Sequence, residues 1–246
     1  MIVSSHQKGW KIITQRSHGL LAAMIAYQYK MDLPVEVMVP LLVAISEHDD
    51  GVTETLATQN LTDAGAPRSF TVQDGKSHTN ITPLRSLMEI GTAKSQLNGL
   101  LTSLHLQFLY DGDHRKTDKG LDDFLKEQEQ YRSTVLKNLK LGKKKAEKLY
   151  RFLEWSDACS LLICLDKIQS QGRKMEISKS PDGDMNTLFY KPNKDICVEP
   201  WPFKEASFKV FYEYKIVEQL QFDSIEAFNE VYTAAAVQEE LFTFSK

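Results

Sequence analysis

His48 and Asp49 sit inside the run Glu47-His48-Asp49-Asp50, which follows the apolar stretch Leu41–Ser46 and precedes Gly51. The stretch reads as a helix that Gly51 can end, so one imidazole and three carboxylates crowd a helix C-terminus. That end carries partial negative charge, and each carboxylate in the last turn is unfavourable by roughly 0.3–1 kcal/mol. A bound cation reverses the sign. An adjacent His-Asp pair offers a divalent metal one imidazole nitrogen and one carboxylate oxygen, and further ligands must come from elsewhere in the chain.

The elements that would supply them follow from periodicity. Ile2–Ser4 and Trp10–Thr14 read as strands of a hairpin turning at Gly9. Ser17 is a candidate cap for a helix with Leu20, Leu21, Met24 and Ile25 on one face, which puts His18 in its first turn. A second helix starts at Pro34 and runs through Leu41 and Ile45 to His48, with a kink expected at Pro40. Residues 52–82 lack periodicity and read as a long loop. A third helix, about Pro83 to Leu109, carries His105 within its apolar stripe. After the polar turn Asp111–Gly120, a fourth helix ends at Gly142. A fifth, Lys143 to Ile168, places Asp157 four residues from both Leu153 and Leu161 on its buried side. Beyond Gly172 the pattern alternates: Lys174–Ser178, Thr187–Tyr190, Ile196–Glu199 and Phe208–Tyr214 read as antiparallel strands. Ser224 caps a last helix, and Leu241–Phe244 reads as a final strand. Pro200-Trp201-Pro202-Phe203 cannot lie in a central strand, because neither proline donates to a ladder.

These patterns predict a mainly α fold, with five or more helices around a metal centre and a small antiparallel β-subdomain from the C-terminal third and the N-terminal hairpin. The chain reads as a single domain, 1–246: a helical metal-binding core at 15–170 and a β-rich part at 1–14 plus 172–246.

His18 and Asp157 join His48 and Asp49 as inward-facing polar residues, in the order H…HD…D. Each also has a purely structural explanation. A His-Asp dipeptide is common, and His18 fits a helix-start histidine with one backbone contact. Asp157 on an apolar face needs a partner, and Arg151 or Arg85 would serve as well as a metal. His105 is either a core histidine bonded to a neighbour or part of the pocket, as an outer ligand or a phosphate contact. Gln15 and Asp50 lie within a helical turn of proposed ligands and are placed to fix an imidazole tautomer. Arg68 in the loop Gly65–Phe70 is a candidate to neutralise a substrate phosphate. The Pro200–Phe203 loop is a candidate to close over the metal, with Trp201 and Phe203 either lining the pocket or anchoring one element to another.

A net charge of −3 removes any global positive field for nucleic acid or an anionic membrane surface. The longest apolar run, Val37–Ile45, is too short to span a bilayer. Cys159, Cys164 and Cys197 are odd in number and lack CxxC spacing, which argues against disulfides or a structural zinc and for the reducing cytoplasm.

The ordered set His18, His48-Asp49 and Asp157 resembles the signature of the HD-domain superfamily of metal-dependent phosphohydrolases. The chain is similar in more detail to an uncharacterised family of bacterial HD-like proteins. It shares an I-T-Q-x-x-H start (Ile13–His18), an HDDG turn (His48–Gly51), a G-x-P-x-x-F loop (Gly65–Phe70), an S-L-H helix (Ser103–His105) and a P-W-P-F segment (Pro200–Phe203). Val52 departs from the tryptophan of that pattern. The resemblance implies an HD-like helical core and His18, His48, Asp49 and Asp157 as metal ligands. It also implies hydrolysis of a small phosphate ester or nucleotide, in which the metal lowers the pKa of a water and Asp49, with His48, serves catalysis. Imidazole and carboxylate ligands suit Mn, Fe, Co, Ni or Zn. A non-catalytic metal- or ligand-binding regulatory protein on the same scaffold is the alternative, and a two-iron oxygenase ranks third. The expected partner is a small phosphorylated molecule, and a homo-oligomer is compatible with the sequence.

Overall fold

Thr14 divides a hairpin from a helix. The strands β1 (Ile2–His6) and β2 (Gly9–Ile13) pair antiparallel around a turn in which Gly9 takes φ 136°, open to glycine and strained for other residues. Helix α1 (Gln15–Gln28) follows at once, and the Thr14 hydroxyl accepts the Ser17 N–H at 2.9 Å. Thr14 is therefore the cap expected at Ser17. The Ser17 hydroxyl instead donates to the Glu213 carbonyl (2.8 Å) and accepts the Glu213 N–H (2.9 Å), tying α1 to the sheet.

The computed structural model describes residues 1–51, 60–71, 80–112 and 117–246. Val52, His78, His114 and much of the expected 52–82 loop lie outside them. The further helices are α2 (Val35–Ser46), α3 (Thr82–Lys94), α4 (Gln96–Tyr110), α5 (Lys119–Asn138), α6 (Lys143–Cys164) and α7 (Ile225–Ala234). The single helix expected from Pro83 to Leu109 is two. Ser95 adopts φ −163°, ψ 160°, and its hydroxyl accepts the Asn98 N–H, ending α3 and starting α4.

The remaining strands are β3 (Met175–Lys179), β4 (Met185–Tyr190), β5 (Ile196–Glu199), β6 (Ser207–Val217) and β7 (Val237–Ser245). All seven described strands form one curled sheet in the order β1-β2-β6-β7-β5-β4-β3, antiparallel except where β5 meets β7 at Ile196 and Phe244. This corrects the mainly α expectation to a mixed α/β fold. The cause is β6, eleven residues long, which pairs with β2 at Trp10–Val217 and with β7 from Ser207–Ser245 to Lys215–Val237, so that the expected small β-subdomain is a seven-stranded sheet.

Helices and sheet share one core. Leu21 and Ile25 of α1, Leu41 and Ile45 of α2, Phe152 and Trp155 of α6, and Val198, Val210 and Phe244 of the sheet belong to the same buried cluster. A second cluster joins α3, α4 and α5 around Phe124, and a third places Phe228 and Tyr232 of α7 with Ile12 and Val217. Among the described residues no helix is long and apolar enough to cross a membrane. The three cysteines are free.

Phe203 is buried among the rings of Tyr29, Trp155, Trp201, Phe208 and Phe244. Tyr29 caps α1 at the end opposite His18, about 16 Å away at ~1.5 Å per residue. Phe203→Ala should cost about 3–5 kcal/mol of stability in chemical denaturation and leave metal content unchanged. A near-native midpoint would show that the ring is no anchor.

Candidate metal centre

Four helices deliver the site. His18 lies one turn into α1, and His48 and Asp49 occupy the turn just past α2, which ends at Ser46 with Glu47 as its C-cap. His105 comes from α4 and Asp157 from α6. The glycine after His18 permits the convergence. A Cβ at Gly19 would overlap the Ser46 carbonyl oxygen, so only glycine lets α1 lie this close to the end of α2. Glu47, the extra carboxylate at that helix end, is paired with Lys94 at 2.8 Å.

Hydrogen bonds on the outer side set the two imidazoles. His48 Nδ1 faces the Ile45 carbonyl oxygen at 2.7 Å, so Nδ1 carries the hydrogen. His18 Nδ1 lies 2.7 Å from the Ser160 hydroxyl, whose own hydrogen goes to the Asp157 carbonyl at 2.9 Å, so again Nδ1 donates. In both neutral rings the Nε2 lone pair then points inward, and the two nitrogens stand 3.2 Å apart. Asp157 Oδ1 is 3.1 Å from His18 Nε2 and 3.3 Å from His48 Nε2, aligned as a hydrogen bond with neither. Three acceptor atoms thus form a nearly equilateral triangle. Ligand atoms sharing one ion at bonds of ~2.0–2.2 Å stand roughly 2.9–3.5 Å apart, so the residues present fit a transition-metal ion.

Asp49 borders the triangle, with Oδ2 3.5 Å from His48 Nε2 and held by the Gln15 side-chain N–H at 2.9 Å. Its Oδ1 is 3.9 Å from His105 Nε2. Two overlapping groups, His18/His48/Asp49 and His48/His105/Asp157, could each hold a metal ion. The histidines are buried, whereas the side chains of Asp49 and Asp157 keep 25% and 14% exposure, so the cluster opens to solvent on its carboxylate side.

The electrostatics express the same demand for positive charge. Burial pushes His48 down, but Asp49 and Asp157 outweigh it and raise its pKa to about 10. Burial pushes Asp49 up, yet His48, His105 and His18 bring it down to about 2. Asp157 is likewise held far below the usual carboxylate range against its burial, by the close approach and charge of His18 and His48. Without an ion, a proton on His48 supplies the missing charge; an ion would replace it.

The other residues singled out in the sequence lie as follows. Gln15 contacts Asp49, and Asp50 faces Arg16 at 3.6 Å, while the tautomers are set by Ile45 and Ser160 instead. Arg68 sits in a segment tied to Asn60 and, through Phe70, to Met1. Trp201 and Phe203 belong to the aromatic anchor at the far end of α1, and the Trp201 indole donates to the Glu205 carbonyl. Sequence reasoning missed Ser160, Tyr150 and Gly19. Ser160 had a signal, since a serine three residues after Asp157 shares its helix face; so did Gly19, a glycine inside a helix directly after a proposed ligand.

Asp49→Ala should lower metal content about 10–100-fold in affinity, read by mass spectrometry of the purified protein; unchanged content would exclude Asp49 as a ligand. Gly19→Ala should do the same through geometry and cost about 1–3 kcal/mol by overpacking, although alanine is the better helix former. A stabilised, fully loaded variant would show that close approach of α1 and α2 is not required.

A family model described as "Protein of unknown function (DUF3891)" matches residues 1–219. The match carries no link to HD domains. No curated protein and no solved structure gives a significant match. With most of its length covered by that one model, the chain belongs to the DUF3891 family.

Proposed function

We propose that this protein is a divalent-metal-dependent phosphohydrolase acting on a small phosphate ester or nucleotide. The observation that carries the reading is the triangle of His18 Nε2, His48 Nε2 and Asp157 Oδ1, with Asp49 on its solvent side. The order of these residues resembles that of HD-domain phosphohydrolases, which favours a phosphate ester over other substrates. An ion held by His18, His48, Asp49 and Asp157, whether Mn, Fe, Co, Ni or Zn, would supply Lewis acidity, polarising a phosphoryl oxygen and making a water more nucleophilic at neutral pH.

The chain's own groups divide the remaining work. Asp49 is the most exposed of the four, and its Oδ2 is fixed by Gln15, which leaves the carboxylate placed to orient an attacking water. His105 is buried with an Nε2 that has no hydrogen-bond partner, and a phosphoryl oxygen entering from the Asp49 side would satisfy it. His18 and His48, sealed from solvent, keep water from the inner side of the cluster.

Elemental analysis combined with a panel of phosphomonoesters, phosphodiesters and nucleotides tests the reading. Near-stoichiometric transition metal is expected, with hydrolysis of at least one ester class that chelation abolishes and metal restores. A metal-loaded protein that turns over none of the panel would overturn it and leave a metal-binding regulatory protein on the same scaffold.

A further inference from the structure

His105 joins the cluster to an aromatic surface that the reaction outlined above does not use. Its Nε2 faces Asp49, and its Nδ1 has a long contact, 3.5 Å, with the Tyr150 hydroxyl. Phe108, one turn further along α4, stacks over the imidazole with planes 25° apart and centroids 6.5 Å apart. Tyr150 lies 6.2 Å from both rings. It stands on the α6 face that continues at helical spacing through Glu154 to Asp157, so the seam between α4 and α6 runs from Phe108 to the ligands.

This seam is open at its outer end. Phe108 is 55% exposed, and Leu109 beside it is 47% exposed. A single exposed phenylalanine needs no explanation. One stacked on a buried imidazole, whose unpartnered nitrogen faces a carboxylate of the metal cluster, is placed for a ligand.

We infer that Phe108 and Tyr150 form a shelf for a planar ring in the organic part of the substrate, with the phosphate reaching past His105 to the cluster. The favoured ligands are then phosphate esters that carry an aromatic or heteroaromatic ring. The outer face of Phe108 offers the offset stacking that such rings prefer, and the Tyr150 hydroxyl offers a donor at the shelf's inner edge. The phosphate half of the inference rests on the phosphohydrolase reading; the ring half rests on the stack alone.

Calorimetric titration of the metal-loaded full-length protein with phenylphosphonate and with methylphosphonate, neither of them hydrolysable, separates the two. The native chain should bind the phenyl compound roughly tenfold more tightly, as stacking plus buried apolar area predicts. Phe108→Ala should bring the two probes to within about twofold at unchanged metal content, and Phe108→Trp should keep the preference. Equal affinities in the native chain, a preference that survives Phe108→Ala, or binding of neither probe would overturn the shelf. Absence of turnover across the whole ester panel with the ring preference intact would sink the phosphohydrolase reading and support the shelf.

Discussion

Two imidazole nitrogens held 3.2 Å apart in a water-poor interior, each with its hydrogen engaged on the far side, form the constraint on which the site depends. Neutral rings in those tautomers present lone pair to lone pair, and Asp157 adds a negative oxygen to the same point. Such an arrangement is stable only with positive charge at its centre, supplied by a proton or by a metal ion. The outer partners are neutral, a peptide carbonyl and a serine hydroxyl. They fix ring orientation without the added basicity that a carboxylate partner would confer.

The sheet takes part in this site although none of its strands supplies a ligand. Between the end of β2 and the first turn of α1, almost every residue of Ile13–His18 has a separate task. Ile13 is buried in the core, Thr14 caps the helix, Gln15 holds Asp49, Arg16 faces Asp50, Ser17 grips the β6 backbone and His18 enters the cluster. The turn His48–Gly51 is similarly dense, because Gly51 brings it against α3, where a Cβ would stand 2.9 Å from the Pro83 carbonyl oxygen. Ser103, two residues before His105, accepts from the buried Arg132 of α5 at 2.9 Å and so fixes the rotation of α4. Each short motif is thus one ligand together with the contacts that aim it.

Much of this was legible in the chain because polar residues in apolar stripes stand out: His18, His105 and Asp157 could be picked from helical spacing alone. Most strands could also be found one by one. Their grouping with the N-terminal hairpin could be read too, but not their order in one large sheet, because alternation shows that a segment is a half-buried strand and says nothing about its neighbour. The pairs that make one sheet, β2 with β6 and β5 with β7, join residues far apart in sequence. The break at Ser95 was hidden because apolar periodicity continues through it while the serine hydroxyl captures the next helix's N–H. Trp201 and Phe203 carried a composition equally suited to a pocket wall and to an anchor, and only packing against Tyr29 and Trp155 separates the two.

The charge balance at the mouth constrains any anionic ligand. Asp49 and Asp157 are both held ionised, and Glu154, three residues before Asp157, has its carboxyl raised by burial and by Asp157 itself. With neutral imidazoles the two ionised carboxylates already set a net negative field, and the low local dielectric lengthens its reach. A phosphate approaching that field gains nothing until the field has been cancelled. A single proton on His48 cancels half of it, whereas a divalent ion cancels all. Cation and anion binding are therefore positively coupled, each strengthening the other by the same factor. The apolar seam at Phe108 and Tyr150, which carries no charge, is the part of the mouth where a ligand's uncharged half can settle regardless of that balance.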